Sequence, residues 1–181
     1  MVLRRLKRGD IPKMLEWMHD PEINQFFQFD AQKMTEEKAE AFIRKACIQA
    51  EEKESFHFAI ADEKDEYLGT ISIKNIDWKT KSAEYAVSLR KVAQGRHIAA
   101  WATWEVLDYA FETLFLNRVY LNVLPENSRA IRFYERLGFI YEGEFKECIY
   151  IRGKYRNLRW YRLLKKEYRR TVGKYNFEGE R

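Results

Sequence analysis

Cysteine is nearly missing from this chain: two residues in 181, Cys47 and Cys148, with no partner at metal-ligand spacing. A disulfide framework or a thiolate metal centre has no basis here, so no metal is expected and both thiols read as buried structural cysteines. Proline is scarce too, at three, and no repeat, low-complexity block or linker marks a boundary between units. No apolar run approaches the ~18 residues that a membrane-spanning helix needs. The opening Met1-Val2-Leu3-Arg4-Arg5 turns charged at once and lacks the apolar core of a secretory signal. The cytoplasm is therefore the expected compartment.

Apolar residues are plentiful. They make up 46% of the chain, and aromatics 15%, too much for a disordered segment. A length of 181 allows one domain with a substantial core, expected over residues 1–170, with a flexible tail at 171–181. The net charge of +5 is uneven: between Glu144 and Arg170, ten Lys or Arg stand against three Glu. Three readings fit that basic stretch: a nucleic-acid surface, a seat for a phosphorylated cofactor, or a solvated strand face and helix.

Apolar spacing lays out the elements. Val2 to Leu6 reads as a short strand, and Asp10 is placed to cap a helix with Ile11, Met14, Leu15 and Met18 on one face. His19-Asp20-Pro21 breaks it, and a short turn follows that clusters Phe26, Phe27 and Phe29. Thr35 opens a third helix reaching about Ala50, with Glu36 and Glu37 favouring its dipole. Strands are expected at Phe56–Ile60, Tyr67–Asn75 and Ala83–Leu89. In the last, Ala83, Tyr85, Val87 and Leu89 share one face; Glu84, Ala86 and Ser88 share the other. His57 alternates between Phe56 and Phe58 and reads as structural. A strand from Arg118 to Leu124, then a hairpin of Ile140–Ile151 with Tyr155–Leu164 turning at Arg152-Gly153-Lys154, complete the set before a basic helix. Strands and helices mix without strict alternation. The fold class is α+β, a mixed, largely antiparallel sheet with helices on both faces.

The chain is organised around Val92 to Phe139. After Gln94, apolar residues recur at Ile98, Trp101, Trp104, Leu107, Phe111 and Leu114, helical spacing over about four turns. The backbone N–H groups from Gln94 to Ala100 would open that helix, at the positive end of its dipole, as a seat for phosphate. A second helix, Ser128–Leu137, has Pro125 and Asn127 as its start signal and Gly138 as its stop.

These motifs resemble the GNAT superfamily of N-acetyltransferases. The family's acyl-CoA signature is Gln/Arg-x-x-Gly-x-Gly/Ala, and Gln94-Gly95-Arg96-His97-Ile98-Ala99 fits except at its fourth position, where His97 replaces a glycine. The later Asn127…Ala130-Ile131…Phe133-Tyr134…Leu137-Gly138-Phe139 matches the second CoA segment without a gap. Glu142-Gly143-Glu144-Phe145 and Gly153-Lys154-Tyr155-Arg156-Asn157 resemble the branch that acetylates ribosomal-protein N-termini, polyamines and amino sugars.

The resemblance implies acetyl-CoA as co-substrate and a primary amine as acceptor. It implies that Val87, Ser88 and Leu89 hold the pantetheine arm through their backbone and polarise the thioester carbonyl. The turn Gln94, Gly95, Arg96, His97, Ile98, Ala99 and Ala100 would take the pyrophosphate, Asn127 the CoA arm, and Tyr134 would be the general acid. His97 has two readings: its Cβ crowds the phosphate, weakening but not excluding the seat because a helix N-terminus accepts a non-glycine residue at φ < 0, or its ring donates a hydrogen bond to it. Asn127 doubles as a plain N-cap. Relatives are often dimers, so a homodimer stays open, and nucleic acid is not an expected partner. A non-catalytic acyl-CoA-binding module and a basic RNA-binding protein are the competing classes.

Acetyl transfer to an amine needs that amine neutral, and here magnitudes matter. A Lys-like amine near ~10.4 loses about 4.6 kcal/mol on deprotonation at pH 7, while one near ~8 loses about 1.4 kcal/mol. Glu84, on the polar face of its strand, is the candidate base. Proton donation from a phenol near ~10 to a thiolate near ~8.5 is uphill by ~2 kcal/mol. A small-molecule or N-terminal amine therefore ranks slightly above a polyamine, whose distal ammonium groups would need a wall such as Glu36, Glu37 and Glu40.

Overall fold

The computed structural model describes residues 1–172, with side chains through Tyr168. Of the tail expected at 171–181, only Thr171 and Val172 fall within that range, and they close a helix. Among the described residues, seven strands form one sheet: β1 (Val2–Arg5), β2 (Phe56–Ala61), β3 (Tyr67–Asp77), β4 (Ser82–Leu89), β5 (Arg118–Val123), β6 (Ile140–Ile151) and β7 (Lys154–Leu164). Their order is β1-β2-β3-β4-β5-β7-β6. Neighbours pair antiparallel except β4 with β5. The helices are α1 (Ile11–His19), α2 (Pro21–Asn24), α3 (Glu36–Glu51), α4 (Ile98–Asp108, continued by a wider turn at Tyr109–Thr113), α5 (Ser128–Arg136) and α6 (Lys165–Val172). No described helix is long and apolar enough to cross a membrane.

Adjacent strand residues point to opposite faces, and they enter different cores. Ile60, Ile71, Ile73, Ala83, Tyr85, Val119 and Leu121 pack with Ile98, Val106, Leu107 and Phe111 of the α4 region and Ile131 of α5. Ala59 and Tyr67 pack instead with Ile11, Met14 and Met18 of α1 and Ala39 and Ile43 of α3. The expected helices on both faces follow from that alternation. A smaller cluster of Leu124, Ile151 and Leu158, joined by Phe26, Ile149 and Trp160, lies under the β6–β7 hairpin.

Local signals are mostly followed. Thr35 caps α3 by accepting from the Lys38 N–H at 3.3 Å. The β6–β7 turn narrows to two residues, Arg152 and Gly153, at φ of 50° and 76°, the left-handed pair a tight hairpin requires. Asp10 departs from expectation: it makes no side-chain cap on α1. Its carboxylate is buried and instead takes the Arg4 guanidinium, two bonds of 2.8 Å, and the Lys7 N–H at 2.9 Å. A nearby half-buried cation outcompetes a helix end for a carboxylate, because charge-assisted bonds are the stronger ones. The cysteines are a second correction: Cys148 is exposed and Cys47 half-buried. Cys148 sits on the edge strand β6, where the register shifts between Phe145 and Ile149, so its side chain reaches no core.

Candidate active site

The parallel pair β4–β5 opens into a V. Pairing is confined to Ser82↔Arg118, Ala83↔Val119 and Glu84↔Tyr120. Beyond it β4 stays with β3 as far as Gly69↔Leu89, and β5 stays with β7 as far as Val123↔Arg159. The facing backbone edges past Glu84 therefore lack each other as partners. Unpaired strand N–H and C=O groups seek another chain, and an amide-bearing extended arm suits them. Val87, Ser88 and Leu89 line this opening and are half-buried. Two features fix β4 there. Gly69 lets β3 come so close that a Cβ would meet the Ser88 carbonyl oxygen at 2.4 Å. Just past β4, the buried Arg90 guanidinium grips both oxygens of Glu16 (3.1 and 3.0 Å), Glu66 at 2.7 Å and the Tyr67 carbonyl at 3.0 Å.

The anion seat differs from expectation in its geometry. Helix α4 begins at Ile98, and Gln94, Gly95, Arg96 and His97 form a turn ahead of it. Gly95 lies at φ 74° and His97 at φ 58°. The reading of His97 at φ < 0 is thus wrong: the signature position is left-handed, which is why glycine suits it. The Arg96 and His97 side chains are exposed, while Ala99 and Ala100 are half-buried in the first turn of α4. Left-handed residues curl successive N–H groups into a concavity able to receive an anion, and the helix end adds its own N–H groups. Gln94 ties this turn to both neighbours. Its Nε2 donates to the Leu89 carbonyl at 3.4 Å, and its Oε1 accepts from Arg129 Nη1 of α5 at 2.7 Å.

Asn127 caps α5, accepting the Ala130 N–H at 3.1 Å through Oδ1. Its Nδ2 has no partner among the described residues and stays available to a ligand. Tyr134 stands edge-on to Tyr85 at 6.0 Å and packs on Phe133 and Phe139. Burial pushes its phenol up to about 12. Among the described residues that hydroxyl has no hydrogen-bond partner, yet the enclosed side-chain polar atom left without one is Trp160 Nε1 alone. The Tyr134 oxygen therefore keeps access to solvent. Tyr85 is the contrast: its hydroxyl is bonded to Thr103 at 2.7 Å and is structural.

Glu84 sits at the apex of the V, its side chain 17% exposed. Its carboxylate takes Lys74 Nζ at 3.0 Å, Asn75 Nδ2 at 2.9 Å and, more loosely, Asn122 Nδ2 at 3.4 Å. Asn122 in turn accepts from Gln28 of the loop after α2. Trp160 stands directly across from Asn122 on β7 and packs tilted against the Tyr120 ring at 5.8 Å. The Phe26–Phe29 cluster divides: Phe26 joins the hairpin core, and Phe27 packs edge-on to Trp17 at 5.4 Å. Glu36 and Glu37 are exposed, whereas Glu40 is shared by Arg8 at 3.6 Å and Arg44 at 3.3 Å. No group of His, Cys, Asp and Glu able to hold a metal is present among the described residues.

Five cations of the basic stretch after Glu144 are ion-paired. Arg156 meets Glu126 at 2.8 Å, Lys146 and Arg159 share Glu144, Arg162 meets Glu142 and Glu167, and Lys165 meets Glu112 at 3.6 Å. Lys146, and then Arg159, hold the Glu144 carboxyl down to about 2. Sequence reasoning missed Gln28, Lys74, Asn122, Arg90 and Arg129. Only Lys74 carried a signal, since a hairpin of β3 and β4 sets it opposite Glu84.

Comparisons with known proteins bear on this geometry. Residues 1–140 match the family model for an acetyltransferase (GNAT) domain. Spermidine N(1)-acetyltransferase of Vibrio cholerae is 27% identical over 168 residues, 93% of this chain and 95% of that protein. The Bacillus subtilis protein YdaF, provisionally named a ribosomal N-acetyltransferase, is 35% identical over 100 residues, 55% of each chain. The crystal structure of the Vibrio cholerae spermidine N-acetyltransferase with CoA and spermine superimposes with a TM-score of 0.82 at 26% identity. That match covers 92% of this chain and 96% of the other.

Proposed function

This chain belongs to the GNAT acetyltransferase family and is an acetyl-CoA-dependent N-acetyltransferase, and from that premise we propose that it transfers the acetyl group directly to a primary amine entering beside Glu84. The observation that carries this reading is the V between β4 and β5. It opens at Glu84 and has the turn Gln94–His97 and the ring of Tyr134 nearby. The pantetheine arm would lie along Val87, Ser88 and Leu89, with Asn127 Nδ2 as a further donor and the turn through Ala100 under the pyrophosphate.

The amine nitrogen bonds to the thioester carbon, the C–S bond breaks, and the amine proton leaves to Glu84 or to a water held by it. The departing sulfur meets the Tyr134 hydroxyl. A phenol pushed up to about 12 could give its proton wholly to a thiolate near ~8.5 only at about 5 kcal/mol. Tyr134 therefore acts by a strong hydrogen bond to the developing thiolate, a role that a neutral phenol keeps across the whole working pH range. Tyr134→Phe should hold acetyl-CoA affinity and lose turnover by ~10²-fold; unchanged turnover would return Tyr134 to the core.

For the acceptor, we favour an amine of modest basicity. Glu84 is already paired with Lys74, Glu142 with Arg118 and Arg162, and Glu144 with Lys146 and Arg159. These paired carboxylates offer little spare negative charge for several ammonium groups. A polyamine is the second reading, supported by the spermidine-acetylating relatives and by the exposed Glu36 and Glu37. The test is free-thiol release at pH 7 with an amino-sugar nucleotide, a short peptide and spermidine. A kcat/KM for spermidine far above the others would install the polyamine reading, and no turnover of any amine despite acetyl-CoA binding would overturn both.

A further inference from the structure

Neighbouring residues of a regular strand point to opposite faces, yet Lys74 and Asn75 both reach the Glu84 carboxylate, at 3.0 Å and 2.9 Å. A bulge makes this possible. The β3–β4 register runs to Lys74↔Glu84 and then shifts before Asp77↔Ser82, and Asn75 stands there at φ 54°. Such a bulge re-aims a side chain, and the Ser55 hydroxyl holds this one by accepting the Asn75 N–H at 3.1 Å. The donors divide the carboxylate. Lys74 Nζ takes Oε1, which Asn122 Nδ2 shares at 3.4 Å, and Asn75 Nδ2 takes Oε2. With Lys74 removed, both amides would remain, so what Lys74 adds to the group is charge.

Resting on the reading that an amine of modest basicity enters beside Glu84, we propose that Lys74 sets the charge an acceptor can bring: it is a positioning residue that keeps Glu84 for a neutral amine and turns polycations away. An ammonium arriving at the same carboxylate oxygen would stand within about 6 Å of Lys74 Nζ, where like charges repel and the charged form of an amine is disfavoured. The same repulsion favours the reaction. It moves the incoming amine towards its neutral form, whose lone pair attacks the thioester carbon. A weakly basic amine loses its proton there at little cost, whereas spermidine keeps further ammonium groups close to Lys74. The charge of Lys74 is also felt across this face of the sheet, where it comes second to burial in lowering the pKa of His57.

The test is the ratio of kcat/KM for spermidine to kcat/KM for the better of an amino-sugar nucleotide and a short peptide, at saturating acetyl-CoA and pH 7. In the wild type the ratio is expected below one. Lys74→Met should raise it about tenfold, the effect of one unit in the pKa of the bound amine. The gain should come from a lower KM for spermidine, with KM for acetyl-CoA unchanged. Lys74→Arg should keep the wild-type ratio, because the charge remains. A ratio unmoved by Lys74→Met, or moved equally by Lys74→Arg, would overturn the role of Lys74 and leave the acceptor reading standing. A wild type that acetylates spermidine far above the other two, or acetylates none of the three, would instead strike the acceptor reading on which that role rests.

Discussion

A side chain at φ 58° crowds its own carbonyl, at about 1–2 kcal/mol for an ordinary L-residue, and His97 occupies that conformation. Glycine there would relieve the crowding but would enlarge the unfolded ensemble, which offsets about 0.4–1 kcal/mol. His97→Gly is therefore expected to raise Tm by about 2 °C, read in a thermal scan without ligand. A lower Tm would mean that the imidazole makes a stabilising contact. Acetyl-CoA affinity separates the two readings of the ring: it tightens if His97 crowds the phosphate and weakens if it donates to it. His57 gives a pH prediction. Burial first, and Lys74 second, lower its pKa to about 4, and Nδ1 is bonded to Ser72 Oγ at 2.8 Å. A His depressed below its unfolded ~6.5 is neutral in the fold. Its contribution is present above pH 6.5 and lost as pH falls from there towards 4. At pH 5 the loss is about 2 kcal/mol. Urea midpoints at pH 7 and pH 5 should converge in His57→Gln relative to wild type; an equal drop in both would assign the acid sensitivity elsewhere.

Among the elements, β4 does most to shape the site, held on one side and free on the other. Ala83, Tyr85, Val87 and Leu89 face the α4 core as their alternation predicts, and Glu84 faces the polar side. Its far end is pressed against β3 at Gly69, where the Leu89 Cδ2 would stand 2.6 Å from an added Cβ. Gly69→Ala should therefore push Ser88 and Leu89 into the opening, destabilise the fold by about 1–3 kcal/mol and weaken acetyl-CoA binding several-fold. Retained affinity in a folded variant would show that the arm does not lie along these residues. Helix α5 is more modest: its start at Asn127 and its apolar residue Ile131 follow ordinary helix signals.

Across the whole molecule, the β6–β7 hairpin is tied to the end of α2 and the segment after it, beside the site. Arg152, at the tip of the β6–β7 turn, donates to the Asn24 carbonyl at 2.7 Å and to Gln25 at 3.3 Å, joining the hairpin to the loop that carries Gln28. This link closes the side of the V on which Glu84 and Asn122 lie. Arg152→Ala should raise KM for the amine several-fold and leave KM for acetyl-CoA unchanged, with about 1 kcal/mol lost in stability because the side chain is largely exposed. An equal rise in both KM values would place the effect on the fold in general.

By itself the sequence determined the elements that local physics controls. Period-two alternation set the faces of β4, helical spacing set α3, α4 and α5, and the left-handed Arg152-Gly153 pair set the hairpin. The motif at Gln94–Ala99, with Asn127 and Tyr134 downstream, carried the family and its co-substrate. Tertiary structure decided what depends on partners distant in the chain. Asp10 left its helix for Arg4, Glu84 acquired Lys74 and, through Asn122, Gln28, and five cations of the basic C-terminal stretch met carboxylates. It also decided the phenol of Tyr134, which only burial could push up, and the left-handed turn at His97. Alternation and capping act over a few residues and leave a local trace. Charge pairing, desolvation and the spreading of β4 from β5 arise between segments far apart in sequence, so no local pattern records them.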